Sequence, residues 1–167
     1  MKQKFLMNTL ILGLVLSFGA SAQVSKNDQE FMNKAAAGGL YEVEAGRLAQ
    51  QKASSSSVKA FGDMLVKDHS SANEELKALA SAKKAVLPSE FPADKKKRLT
   101  KIAGAKDFDK EFVREIGIND HREDIKLFEK ASKDADDSQI KDFAAKTLPA
   151  LVSHRDHAQE LQKNLDK

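Results

Sequence analysis

Four ionisable residues stand where a helical reading of the sequence expects apolar ones: Glu42, His69, His121 and His154. A helix turns 100° per residue, so side chains at i, i+3, i+4 and i+7 share a face. Glu42 falls about 20° from Phe31 on that wheel, inside an apolar stripe, whereas Glu44 points to the wet side. His69 sits at the centre of the stripe Val58, Phe61, Leu65, Leu76, and His154 at the centre of Ile140, Phe143, Leu151, Ala158, Leu161. His121 belongs to a segment with two competing apolar faces. We read it inward with Val113, Gly117, Ile125 and Phe128. A buried carboxylate without partners is costly, so Glu42 must be neutralised, paired or ligated. Three neutral imidazoles and a carboxylate suit one divalent transition metal: Zn, Fe, Mn, Cu, Co or Ni. Asp68 and His157 lie at the stripe edges, placed to orient those ligands or to enter the set themselves. The alternative is a metal-free network in which Glu42 and the imidazoles satisfy one another by hydrogen bonds.

Four long helices are needed to bring these residues together. The chain is rich in Ala, Lys, Glu, Leu and Gln, all good helix formers, and lacks alternating β-branched runs. Helix one runs from Ser25–Asp28 to about Lys52, and Ser54–Ser57 makes the turn into helix two, at 57–82. Pro88 and Pro92 break the chain before a short helix at about 94–104. Helix three is expected over 107–132 and helix four over 138–165, the latter kinked or restarted around Pro149. Short links make each consecutive pair antiparallel, and the longer middle segment crosses over the end of the assembly. The fold class is therefore all-α: an antiparallel four-helix bundle with a short extra helix in the middle crossover. In it each of the four residues lies mid-helix, at one height. The lysines at 95–97 read as a solvated face.

The N-terminal stretch has a different logic. Lys2 and Lys4 precede an apolar run from about Leu10 to Phe18, followed by Ala20-Ser21-Ala22. That is the order of a cleavable signal peptide over 1–22, leaving a mature domain over 23–167. The run is too short for the ~20 residues of a spanning helix, and no integral membrane span is expected after signal removal. The destination is the periplasm, or secretion. Of the 167 residues 28 are Lys or Arg and 25 are Asp or Glu, a formal net charge of +3. Loss of Lys2 and Lys4 leaves about +1, which argues against nucleic-acid binding. The absence of Cys rules out a disulfide, a thiol nucleophile and a thiolate metal site. No Ser-His-Asp arrangement and no Gly-rich phosphate loop is visible, so the residues leave catalysis and substrate open. A non-catalytic role through the surface, toward an envelope protein partner or a second copy in a homodimer, is the competing functional class.

The strings YEVEAGRLAQ, FGDMLVKDHSSANEEL, DFDKEFVREIGINDHREDIKLFEKAS and TLPALVSHRDHAQEL resemble an exported bacterial family of unknown function with a ferritin-like fold. Its members are described as outer-membrane or periplasmic proteins. The positions carrying the resemblance are Glu42, Asp68-His69, His121, Pro149 and His154. The resemblance implies fold and export, and no activity. Ferritin-like diiron proteins take Glu-x-x-His from two of their helices. Here Val66, Ile118 and Leu151 stand three residues before the histidines. One interior glutamate with three imidazoles is nitrogen-rich and carboxylate-poor for a diiron centre.

Overall fold

A computed structural model describes residues 24–167; the expected signal segment 1–22 lies outside the described residues. The described chain is all-helical, with no strand. Its elements are α1 (Lys26–Lys52), α2 (Ser56–Ala82), α3 (Ala93–Ala103), α4 (Phe108–Phe112), a π-helical stretch (Val113–Asp120), α5 (His121–Asp134) and α6 (Ser138–Leu165). α1 packs chiefly on α2, and α5 on α6; α6 also packs on the π-helical stretch and on α2. The α4–π–α5 run replaces the single third helix expected from the sequence. α6 is continuous through Pro149 rather than restarted there.

Helix starts follow local capping chemistry. The Ser25 hydroxyl accepts from the Asp28 amide at 3.1 Å, Asp107 from Lys110 at 3.1 Å, and Asp137 from Gln139 and Ile140. Each satisfies amides that a helix N-terminus leaves without intrahelical partners. Two buried aspartates extend this between distant segments. Asp28 accepts the amides of Asp136 and Asp137 at 3.1 and 2.9 Å, at the entrance to α6. Asp109 accepts those of Ser54 and Ser55, the closest at 2.7 Å, at the entrance to α2.

Small residues let α1 and α2 come close. A Cβ added to Gly46 would lie 2.6 Å from the Gly62 carbonyl oxygen, and one added to Gly39 would lie 2.0 Å from Asn73 Oδ1. The apolar interior falls into two clusters. One holds Tyr41, Phe61, Leu65, Phe112, Ile116 and Ala158; the other holds Phe31, Leu76, Ile125, Phe128, Phe143 and Leu151. On each long helical run the ionisable residue lies between members of the two clusters, as His69 does between Leu65 and Leu76. A polar layer thus divides the core into two apolar halves. The lysine run departs from expectation at one residue. Lys95 is half-buried, 3.3 Å from Asp120 Oδ1 and 4.3 Å from the centre of the Tyr41 ring.

Candidate metal centre

Glu42, on α1, is 2% exposed; His69, on α2, is 6% exposed; His121, the first residue of α5, is wholly buried, and His154, on α6, is 2% exposed. The three imidazoles converge. Their ring centres are 5.2–5.6 Å apart, and one nitrogen from each lies within 4.8 Å of the others. Among the described residues theirs is the one such grouping of His, Cys, Asp and Glu donors.

The π-helical stretch orients His121. A π turn closes i→i+5, adding a residue to the turn, so the face pointing inward slips relative to a regular helix. Phe112 and Ile116 before the slip and Ile125 and Phe128 after it are all buried, although no single 100° wheel aligns them. The stretch is pressed against its neighbours. A Cβ on Gly117 would lie 2.5 Å from Ala158 Cβ and 3.1 Å from Phe61 Cε1, so only glycine permits this approach. Across the outer side, Arg98 from α3 reaches Asp120 and donates to Glu115 Oε2 at 2.7 Å and to the Glu115 carbonyl at 3.2 Å.

Partners of the rings determine where the imidazole protons sit. His121 Nδ1 lies 2.9 Å from the Ile116 carbonyl oxygen. A carbonyl only accepts, so Nδ1 carries the proton and Nε2 the lone pair. His154 Nε2 lies 2.9 Å from Asp68 Oδ2, so in the neutral ring Nδ1 holds the lone pair. These two lone pairs face each other, with His121 Nε2 and His154 Nδ1 3.1 Å apart. His69 Nδ1 lies 3.0 Å from Glu42 Oε2, and its buried Nε2 has no hydrogen-bond partner; Glu42 Oε1 has none either. A proton on one of the facing nitrogens would relieve the clash. Burial opposes that proton, lowering His69, His121 and His154 below the ordinary imidazole range. At His69 the neighbouring imidazoles add to the effect, and at His154 Asp68 partly offsets it. What remains is a buried cluster of nitrogen lone pairs, which is the donor chemistry of a cation site.

Glu42 stands on the Nδ1 side of two rings: 3.0 Å from His69 and, through Oε1, 3.3 Å from His121. Burial, reinforced by the charge of Asp120, pushes its carboxyl up to about 8. Asp124, half-buried one turn beyond His121, lies against Glu42 and is raised well above the carboxylate range by burial and by the Glu42 charge. Asp124 was not singled out from the sequence, although its i+3 spacing from His121 places both on one helix face. Asp68 meets the cluster through His154. His157 does not join it: the residue is exposed and its ring packs edge-on against Phe61, 5.5 Å between centres.

A family model described as a domain of unknown function, DUF4142, matches residues 14–161, and the chain belongs to that family. No curated protein matches the sequence. Among solved structures, the crystal structure of a DUF305 fragment from Deinococcus radiodurans is similar with a TM-score of 0.74 at 6% identity, over 85% of this chain and 99% of that one. CopM in the Cu(II)-bound form is similar with a TM-score of 0.72 at 17% identity, over 83% and 97% of the two chains. CopM in the Cu(I)-bound form gives 0.70 at 16%, over 83% and 96%. At these identities the likeness is one of fold.

Proposed function

We propose that this member of the DUF4142 family is an exported helical-bundle protein that binds one divalent transition-metal ion in its core. His69, His121 and His154 are the nitrogen donors. Glu42 is the carboxylate behind the centre, on the Nδ1 side of two of its rings, its Oε2 fixing His69. The observation that carries the reading is the pair of facing lone pairs on His121 and His154 beside the orphaned Nε2 of His69. A bound cation would satisfy all three at once. Hydrogen bonds donated by His154 to Asp68, by His121 to the Ile116 carbonyl and by His69 to Glu42 are the kind of outer contacts that fix imidazole tautomers at metal sites.

The donor set suits Zn, Fe, Mn, Cu, Co or Ni, and among divalent first-row ions Cu(II) has the highest intrinsic affinity for such a set. The similarity to CopM, described in copper-bound forms, makes copper the first metal to test. When bound, the ion would supply Lewis acidity or redox capacity, or serve as buffered cargo. The fold reading completes the proposal: a ferritin-like antiparallel four-helix bundle over 23–167, with α3 in the crossover and 1–22 a cleaved export signal. In support, Gly39 meets Asn73 while Gly46 meets Gly62, so contact numbers fall along α2 as they rise along α1. No helix among the described residues is long and apolar enough to cross a membrane.

Metal analysis of protein purified from its native envelope fraction tests the reading, together with thermal unfolding of apo protein titrated with each ion. About one equivalent of metal and a raised melting temperature support it. No bound metal and no thermal gain with any of these ions leaves the metal-free network, in which Glu42–His69 and Asp68–His154 contacts are structural. The surface then carries the function, and capture of an envelope partner is unchanged by Glu42→Ala and His69→Ala.

A further inference from the structure

The two halves of the chain carry the same marks. The string DQEFM at 28–32 returns as DKEFV at 109–113, and SSVKAF at 56–61 returns as SQIKDF at 138–143. The contacts are reciprocal. Asp28 accepts the amides of Asp136 and Asp137, and Asp109 accepts those of Ser54 and Ser55. Phe31 meets Phe143 with ring centres 6.5 Å apart, and Phe112 meets Phe61 at 6.3 Å. α1 ends with the Ala53 amide donating to the Ala49 carbonyl, and α5 with Ala135 donating to Ala131, both caps in extended backbone. The apolar clusters exchange under the same match: Phe61, Phe112 and Ile116 lie in one, and their counterparts Phe143, Phe31 and Ala35 in the other. Contacts that return with the partners exchanged are what a two-fold axis produces.

The match shifts once. Asp28, Phe31 and Ala35 pair with Asp109, Phe112 and Ile116, 81 positions on, whereas Ala49, Ala53 and Phe61 pair with Ala131, Ala135 and Phe143, 82 positions on. The second half thus holds one extra residue between Ile116 and Ala131. The π-helical stretch accounts for it, since a wider turn absorbs a residue without breaking the helix. Carried through the polar layer, the 82-position match pairs Glu42 with Asp124, whose carboxyls lie against each other. It pairs His121 with Gly39, His154 with Ala72 and His69 with Leu151. Gly39, Ala72, Asp124 and Leu151 all line one cavity of about 20 Å³. Phe128 and Leu76, the counterparts of Gly46 and Ala158, line it too. Their bulk takes part of the space that imidazoles fill on the other side.

We infer that the chain is a tandem repeat of one helical hairpin, that its polar layer offers two equivalent positions for a metal centre, and that the residue inserted in the second copy equips one of them. The twin position keeps a carboxyl, Asp124, but small or apolar residues stand where its imidazoles would be. In a regular helix the Ile116 carbonyl would accept the backbone amide four residues on. Beside the widened turn it accepts His121 Nδ1 instead, at 2.9 Å, and so fixes the tautomer of a nitrogen donor. The fold itself does not need the extra residue, because α1 buries the matching positions on a regular helix. The role of the insertion rests on the metal reading; the repeat stands without it.

The test deletes single residues from the full mature chain. Removing one residue from a helix turns everything beyond it by about 100°. Deletion of Asn119, inside the widened turn, is nevertheless expected to keep the helicity and a cooperative unfolding transition. Deletion of Gly38 from α1, which has no extra residue to give up, is expected to abolish that transition. Circular dichroism and urea unfolding read both. With the Ile116 carbonyl returned to the backbone, the Asn119 deletion should bind Cu(II) about 10–100-fold more weakly than the natural chain, measured by competition with a chelator. An unfolded Asn119 deletion, or two deletions tolerated alike, overturns the repeat. A folded Asn119 deletion that binds copper as tightly as the natural chain overturns the role of the inserted residue alone. A natural chain that binds neither copper nor the other ions overturns that role together with the metal reading, and the two deletions still decide the repeat.

Discussion

Glu42 offers the sharpest test of the centre, because its protonation opposes metal binding over a defined range of pH. Burial and the Asp120 charge raise its carboxyl to about 8 in the metal-free protein, while the imidazoles are lowered and stay neutral in the same range. A metal ion held by His69 needs that ring's Nε2 lone pair, which is secured when Glu42 is ionised and accepts from Nδ1. Binding therefore releases about one proton below pH 8. The apparent affinity should fall about tenfold per pH unit from 7.5 to 6, about 1.4 kcal/mol for each unit, and flatten above 8. Glu42→Gln removes the ionisable group, so its affinity should be lower at pH 8 by about 10–100-fold and nearly independent of pH above 6.5. Competition with a chelator of known affinity at pH 6, 6.5, 7, 7.5 and 8.5 measures both slopes. A flat profile for the natural chain, or an equal slope in Glu42→Gln, would refute the coupling between Glu42 and the imidazole donors.

Saturation at a hundred times the dissociation constant should add about 2.7 kcal/mol to the stability, a rise in melting temperature on the order of 8 °C, measurable by scanning calorimetry. The metal-free protein should lose stability as pH rises from about 4.5 toward 8, because folding disfavours the ionised form of Glu42; denaturant midpoints across that range check the sign, and Glu42→Gln should remove most of the dependence. Asp28→Ala strips acceptors from the Asp136 and Asp137 amides and should cost about 1.5–3 kcal/mol by urea unfolding, with metal stoichiometry unchanged. Gly46→Ala should destabilise more than Gly39→Ala: the first drives a methyl into the Gly62 backbone oxygen, the second into the end of the Asn73 side chain, which can turn away.

How much of this was legible before the structure depends on how local the causes are. Glu42, His69 and His154 interrupt apolar stripes on regular helices, so a wheel of constant pitch reveals their burial. His121 resisted the same treatment because the turn widens between Val113 and Asp120. The two competing faces, Phe112–Ile116 and Ile125–Phe128, are one inward surface on either side of that widening. Asp124 was within reach of the same spacing argument and was passed over beside more conspicuous histidines. Asp28 and Asp109 were beyond it: the amides they accept lie 108 and 55 residues away, and no periodicity reports a contact of that span. Lys95 read as solvated for a similar reason, since Tyr41 and Asp120 approach it only once α3 is seated.

Arg98 gives the crossover a weight out of proportion to its length. One guanidinium ties α3 to both ends of the widened turn, at Glu115 and Asp120, and the next residue after that turn is His121. A connector that merely spanned a gap could be trimmed, replaced by a flexible tether or opened to make new chain ends. This one works as a brace, and swapping it for a glycine–serine tether should leave the helices assembled while letting the His121 ring drift out of register with its two companions.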